Sequence, residues 1–196
     1  MADPPRDRDD DADKAGTLKR ADLEHVLRAA GAITNERDFI VIGSQAVLGQ
    51  FPEAPEALLV SAEVDLYPRD RPELADLVDG AIGELSFFHD EFGYYAQGVG
   101  PTTAVLPDGW EARLVTVCNE NTRGVVGHCL EIHDLLASKY VAARDKDRRF
   151  CREAIVAGLP DRETLVRRIA ELPIAAARRD AILRDVDRDL AALEDP

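Results

Sequence analysis

The sequence predicts an α+β fold, in which a small β-sheet is flanked by helices and followed by a C-terminal helical layer. Three observations predict it. The short apolar run DFIVIG at 38–43 is typical of a buried strand. A second strand-like run with alternating side chains follows at 61–67, and the pattern is helical from His133 onward. Strands grouped in the first part of a chain and helices in the last favour an α+β arrangement.

The first elements are predicted as a helix, a strand and a short helix. Thr17 can cap a helix that runs to about residue 30, with Gly31 as its stop signal. The strand at 38–43 ends in a glycine and a serine. The segment SQAVLGQF, which begins at Ser44, favours a short helix directly after that strand.

The middle of the chain is predicted to contain a second strand, a helix and a hairpin. Pro68 ends the strand at 61–67, and the amphipathic segment RPELADLVDGAIGEL carries Pro72 near its first turn. The runs at 102–106 and 111–117 flank the turn sequence PDG and are interpreted as a β-hairpin. A further short strand is predicted at HCLEI. The helices that follow are predicted at 133–147, 148–158, 161–171 and 175–193.

These elements predict three regions. Residues 1–16 carry six Asp and few apolar side chains, so we expect a disordered acidic tail. Residues 17–131 form the predicted α/β core, and residues 132–196 form a helical region that completes the cleft. The N-terminal segment lacks the apolar stretch of a secretory signal, and no apolar run approaches the roughly 20 residues that span a bilayer. We therefore expect a cytoplasmic protein with no membrane partner and reduced cysteines.

The net charge of −14 argues against a surface that coats nucleic acid broadly. Any contact with nucleic acid would have to be local. Arg148, Arg149 and Arg152 form a small basic cluster in the C-terminal part of the chain. A solvated helix face and a contact with the RNA backbone are both consistent with this cluster.

The Gly43-Ser44 turn is the first candidate site. Glycine permits a close backbone approach, and a helix that begins immediately offers free N–H groups to an anion. The Ser44 hydroxyl adds a further donor. The turn is thus a candidate phosphate cradle, although an ordinary tight turn with a serine cap would have the same sequence.

The second candidate is the pair of acids in EVDLY. Side chains alternate along a strand, so Glu63 and Asp65 lie on the same face. Two carboxylates in this arrangement can converge on a divalent cation, and Mg²⁺ often takes one or two carboxylates together with substrate phosphates. A solvated strand face is the alternative. The neighbouring position of the Gly43-Ser44 strand favours the metal site, because consecutive strands usually lie side by side.

The third candidate is Lys139. On a continuous helix with 100° between residues, Lys139 lies in the middle of an apolar stripe that should face the core. A buried lysine needs a partner, unless its charged end reaches solvent over apolar neighbours. Asp147 lies at the edge of the same stripe, so it could pair with Lys139 or line the same cleft. Arg144 falls on the opposite side of such a helix.

Taken in order, these motifs resemble the nucleotidyltransferase superfamily, which has a polymerase-β-like fold. A Gly-Ser turn after the first core strand is followed by an acid–x–acid strand. The segment DLLASKYVAARDKD is similar to the K…A…R…KD helix of the AbiEii/MenT-like and related minimal branches. The resemblance covers about residues 38–147. It implies a small mixed β-sheet as the core of the fold.

The resemblance also implies roles for individual residues. Gly43 and Ser44 would hold the phosphates of an NTP, and Lys139 would contact the triphosphate. Glu63 and Asp65 would hold Mg²⁺. The reaction implied is transfer of an NMP group from an NTP such as ATP or CTP to an acceptor.

Three further residues are supporting candidates in the same comparison. Asp147 and Arg144 would support the site, and Glu111 is the candidate for a third carboxylate ligand. Members of these branches often act as toxins that are paired with an antitoxin. The acceptor would then be the 3′ end of a tRNA, and the partner would be a cognate antitoxin protein.

Two other functions stay open from the sequence. Glu63 stands where the superfamily usually has Asp, so the chain could be a catalytically inactive module that binds nucleotides or proteins. Alternatively, the acceptor could be a protein hydroxyl or a small molecule. The acidic net charge would suit a cationic acceptor of that kind.

Overall fold

A five-stranded mixed sheet forms the centre of the protein. The structure is a computed structural model, and it describes residues 17–192. The strands are β1 (Asp38–Val41), β2 (Glu63–Pro68), β3 (Tyr95–Gly98), β4 (Val115–Val117) and β5 (Val126–Cys129). Their order across the sheet is β3-β2-β1-β5-β4. β1 pairs antiparallel with β2, β4 pairs antiparallel with β5, and the pairs β1/β5 and β2/β3 are parallel.

Helices pack around this sheet. They are α1 (Arg20–Thr34), α2 (Val47–Gln50), α3 (Ala75–Ile82), α4 (Phe87–Phe92), α5 (Ile132–Ala142), α6 (Asp145–Val156), α7 (Arg162–Ala170) and α8 (Ala176–Ala191). The predicted α+β class and the C-terminal helical layer are confirmed. The expected disordered tail at 1–16 lies outside the described residues. Within residues 17–192, no helix has both the length and the apolar character needed to cross a membrane.

The first helix differs from the prediction at both ends. α1 begins at Arg20, with the Lys19 N–H donating to the Asp22 carboxylate at 2.8 Å, so Thr17 is not its cap. It also runs through Gly31 to Thr34 and ends at Asn35 in the left-handed conformation. A Cβ at Gly31 would lie 2.6 Å from a methyl group of Val125. Close packing, and not helix termination, therefore accounts for this glycine.

The predicted hairpin at 102–117 is wrong. Residues 102–106 form no strand, and the PDG turn leads into a short 3₁₀ turn at Trp110–Arg113. The Arg113 guanidinium donates to the Asp134 carboxylate at 2.7 and 3.0 Å, which draws this turn onto α5. β4 pairs with β5 instead, and that pairing confirms a strand near the predicted HCLEI.

Two further departures shape the site. The segment after α3 forms α4 and β3, neither of which the sequence predicted, and β3 extends the sheet beside β2. The predicted helix at 133–147 is broken, because Ala143 adopts a left-handed conformation with φ of 54°. α5 ends there, and the chain starts α6 in a new direction at Asp145.

Candidate active site

The Gly43 turn touches the carboxylate of Asp65. Gly43 has φ of 68° and ψ of −175°, a conformation that is essentially restricted to glycine. A Cβ at this position would overlap Oδ2 of Asp65 and lie 2.8 Å from its carboxyl carbon. The Ile42 N–H also donates to the Asp65 carbonyl at 3.0 Å, because β1 and β2 are neighbours. The candidate phosphate turn and the second candidate metal ligand are thus in direct contact.

The two acids of β2 open into one cavity of about 480 Å³. Val64 and Leu66 are fully buried on the opposite face of the strand. Glu63 and Asp65 both line the cavity. The strand alternation therefore places two carboxylates side by side on the cavity face, as the sequence predicted for this strand.

Asp65 and Glu63 repel each other in the absence of a cation. Burial, followed by the neighbouring charge of Glu63, raises the pKa of Asp65 to about 7. The nearby charges of Lys139 and Lys146 act in the opposite direction. At neutral pH Asp65 is thus only partly ionised. A divalent cation bound between the two carboxylates would remove this repulsion, so the donor set fits a metal such as Mg²⁺.

Glu63 is also bonded to the neighbouring strand. The Tyr95 hydroxyl donates to Oε2 of Glu63 at 3.3 Å, and the two residues are directly opposite each other in β2 and β3. Burial and then the charge of Glu63 raise the pKa of Tyr95 to about 12, so the hydroxyl keeps its proton at neutral pH. No sequence pattern indicates this contact, because β3 is not predicted from its residues.

Lys139 connects the opposite wall of the cavity to the turn. Its side chain is almost fully buried, and Nζ donates to Oγ of Ser44 at 3.0 Å and to Oδ1 of Asp147 at 3.3 Å. The ammonium group also lies 4.6 Å from the centre of the Phe150 ring. Burial lowers the pKa of Lys139, and the Asp147 carboxylate acts against that effect. The pairing of Lys139 with Asp147 matches one of the two arrangements expected from the helical stripe.

The break at Ala143 brings Arg144 to the same carboxylate. Nε of Arg144 donates to Oδ2 of Asp147 at 2.7 Å, although the predicted continuous helix placed Arg144 on the far side. Burial acts to raise the pKa of Asp147, but hydrogen bonds and charges from Arg144 and Lys139 hold it below its ordinary value. Asp147 is therefore a buried anion that orients two cations toward the cavity.

The cavity has a charged end and an apolar wall. The charged end contains the turn, the two β2 acids and the cations around Asp147. Lys146 and Arg149 line it as well. The apolar wall includes Leu58, Val105 and Phe150. A ligand with one anionic end and one flat or apolar part would match both halves.

Glu111 lies apart from these residues. It is exposed on the turn Trp110–Arg113 and does not line the cavity. Its negative charge acts on Tyr67: burial raises the pKa of the Tyr67 hydroxyl, and the charge of Glu111 adds to that increase. Within residues 17–192, no group of three or more His, Cys, Asp or Glu is placed to hold one metal ion. The structure thus brings together every predicted site residue except Glu111.

The comparisons with known proteins agree with this arrangement at the level of the family. A family model described as "nucleotidyltransferase of unknown function" (DUF6036) matches residues 21–189, which include the whole site. Neither the curated proteins nor the solved structures that were searched gave a match. The finer AbiEii/MenT-like assignment stays a prediction. Because the matched region covers most of the chain, this protein belongs to the DUF6036 family of nucleotidyltransferases of unknown function.

Proposed function

We propose that the protein transfers an NMP group from an NTP to an acceptor and that Glu63 and Asp65 hold Mg²⁺ for this reaction. The observation that carries the proposal is the contact of three features at one end of a single cavity. Gly43 packs on the Asp65 carboxylate. The Lys139 ammonium group donates a hydrogen bond to the hydroxyl of Ser44, which is the next residue of the turn. A cavity end lined by a turn, two acids and a lysine is suited to electrostatic catalysis of phosphoryl transfer.

Each residue has a separate task in this proposal. The Ser44 hydroxyl and the Lys139 ammonium group bind phosphate oxygens, and Arg144 adds a second cation near the same position. Lys139 has three N–H donors, of which Ser44 and Asp147 take two. Asp147 keeps Lys139 charged and oriented before substrate arrives. When bound, Mg²⁺ would supply positive charge against the developing charge on the phosphates.

The acceptor we favour is the 3′ end of an RNA. The chain carries a net charge of −14, yet Lys146 and Arg149 line the cavity in addition to Lys139 and Arg144, so that its four basic lining residues equal its four acidic ones in number. A local group of cations on an acidic protein favours an anionic acceptor over a cationic one. We extend this proposal to a tRNA acceptor and to a toxin with a cognate antitoxin, on the strength of the sequence resemblance alone.

The direct experiment is incubation of the protein with α-labelled NTPs, Mg²⁺ and tRNA. We expect label in the RNA with the wild-type protein and none with Asp65→Asn. Asp70→Asn is a matched control, because it makes the same change at an exposed position outside the cavity. Label incorporated equally by all three proteins would show that the reaction does not depend on Asp65. Label in the protein or in an added small molecule would identify a different acceptor.

A catalytically inactive nucleotide-binding module is the second candidate. The observation that favours it is that, of the three predicted metal ligands Glu63, Asp65 and Glu111, the first two line the cavity and Glu111 does not. A thermal-shift assay with ATP or CTP, with and without Mg²⁺, separates the candidates. Stabilisation by a nucleotide without any transfer to RNA, protein or small molecules would support the module. A loss of stabilisation in Glu63→Ala and Asp65→Ala would locate the nucleotide at this site.

A further inference from the structure

Glu63 needs more support than a shorter acid at the same position would. Its side chain has one more rotatable bond than that of aspartate, so ordering its carboxylate costs more conformational entropy. The Tyr95 hydroxyl supplies that support, because it donates to Oε2 of Glu63 at 3.3 Å across the β2/β3 pair. An aspartate at position 63 would fall short of this hydroxyl by about one carbon–carbon bond.

The Tyr95 side chain is itself held in place. Its ring packs on the His89 ring, with the centroids 4.7 Å apart and the planes at 50°. Nδ1 of His89 accepts a hydrogen bond from the Leu85 N–H at 3.1 Å, which fixes the histidine ring in turn. The Tyr95 N–H donates to the Ala62 carbonyl at 2.9 Å. The hydroxyl that meets Glu63 is therefore presented from a fixed position.

The backbone before Glu63 is anchored from the other side. The fully buried Gln45 donates from Nε2 to the Ser61 carbonyl at 2.7 Å. The Ser61 hydroxyl accepts from the Glu63 N–H at 3.3 Å. With the main chain held through Ser61, the remaining freedom of Glu63 lies in its side chain. The Tyr95 hydroxyl donates a hydrogen bond to that side chain, and the Asp65 carboxyl group lies beside it.

We propose that Tyr95 is a positioning residue that fixes the Glu63 carboxylate beside Asp65 for binding of a divalent cation. The inference rests on the proposed function, because it takes Glu63 and Asp65 as the metal ligands. It also gives a physical reason for glutamate at position 63. The longer side chain reaches the tyrosine on β3, and this contact orients it toward the cavity.

The test is a measurement of cation affinity that needs no turnover. Mn²⁺ serves as the probe, since the electron paramagnetic resonance signal of the free ion falls as the ion binds. We expect Tyr95→Phe to weaken Mn²⁺ binding by roughly tenfold, at the lower end of what is typical for residues that orient a metal ligand. The melting temperature without metal should match that of Tyr94→Phe. This control removes a hydroxyl that lies 2.8 Å from Nδ1 of His25 and outside the cavity.

A double-mutant cycle with Glu63→Asp separates positioning from a general structural effect. In the Glu63→Asp protein, Tyr95→Phe should change Mn²⁺ affinity by less than twofold, because the shorter acid does not reach the hydroxyl. An equal loss in both backgrounds, or an equal loss from Tyr94→Phe, would overturn the proposed role of Tyr95. Absence of any Mn²⁺ binding by the wild-type protein would instead contradict the metal site itself, and with it the proposed function.

Discussion

Replacing Gly43 with alanine should damage the protein in two separable ways. The first is a backbone cost, because a residue with a side chain at φ of 68° and ψ of −175° is strained by about 1–3 kcal/mol. The second is a collision with Asp65. The new Cβ would lie 2.8 Å from the Asp65 carboxyl carbon, against the roughly 3.5–4.0 Å of normal contact between carbon atoms, so the carboxylate must move by about 1 Å.

A displacement of that size should be visible in function as well as in stability. We expect Gly43→Ala to lose about 2–4 kcal/mol of unfolding free energy, as the sum of backbone strain and repacking. We also expect Mg²⁺-dependent NMP transfer to fall by about 100-fold, since a misplacement of about 1 Å costs that much in other enzymes. Urea denaturation measures the first effect, and transfer from a labelled NTP measures the second.

Gly93→Ala is the matched control for the backbone cost. Gly93 also has a positive φ, of 75°, but a Cβ there would meet no atom within 4 Å. It should lose about 1–2 kcal/mol and no transfer activity. In an Asp65→Ala background, Gly43→Ala should cost less stability, because the carboxyl group that it displaces is gone. The reasoning is refuted if Gly43→Ala and Gly93→Ala behave alike in both assays.

Three further predictions concern the charged groups. Lys139→Met should lower the unfolding free energy by about 3 kcal/mol, because it removes one partner of the buried Asp147 carboxylate. Urea denaturation measures this loss, and a loss below about 0.5 kcal/mol would contradict the pairing of Lys139 with Asp147. Asp147→Asn should weaken NTP binding in calorimetry, because Lys139 and Arg144 lose the anion that orients them, and unchanged affinity would contradict that role. In the absence of metal, folding raises the pKa of Asp65 from 3.8 to about 7, so the folded protein favours the protonated carboxyl group. The resulting contribution to the unfolding free energy is fully present below pH 3.8 and is lost as the pH rises toward 7. The unfolding free energy should fall over this range by up to about 4 kcal/mol more in wild type than in Asp65→Asn, and parallel pH profiles would contradict the raised pKa.

The parts of the site that follow from local periodicity could be predicted from the sequence. The two-residue repeat of a strand placed Glu63 and Asp65 on one face, and the helical repeat placed Lys139 toward the core. Both patterns are set by backbone geometry within one element. The succession of β1 and β2 along the chain predicts that they are neighbours, and their observed pairing brings Gly43 to Asp65.

The parts that depend on breaks and on weak strands could not be predicted in this way. Ala143 takes a left-handed conformation although alanine carries no sequence signal for it, and this break turns Arg144 back onto Asp147. β3 has only four residues and ends in glycine, so its pattern is too short to distinguish from a loop. Because β3 was not predicted, neither the position of Tyr95 beside Glu63 nor the hydrogen bond between these two side chains could be predicted.

The incorrect hairpin has a tertiary cause. The PDG sequence does form a turn, with Gly109 at φ of 74°. The segment after the turn packs against α5 instead of pairing as a strand, because Arg113 forms an ion pair with the buried Asp134 of that helix. No local sequence pattern indicates this ion pair. The segment at 103–105 then lines the cavity instead of pairing in the sheet. Local turn chemistry was therefore interpreted correctly, while the pairing of the flanking residues was decided by distant partners.

Calorimetric titration with a non-hydrolysable NTP analogue tests the central claim most directly. The claim is that the Gly43-Ser44 turn, Lys139 and the two acids of β2 form one site for a nucleotide and a divalent cation. We expect the wild-type protein to bind the analogue in the presence of Mg²⁺ and to bind it much more weakly in EDTA. Asp65→Asn should bind the analogue with the same affinity in Mg²⁺ and in EDTA. Equal affinity with Mg²⁺ and with EDTA in the wild-type protein, or no binding in either, would contradict the claim.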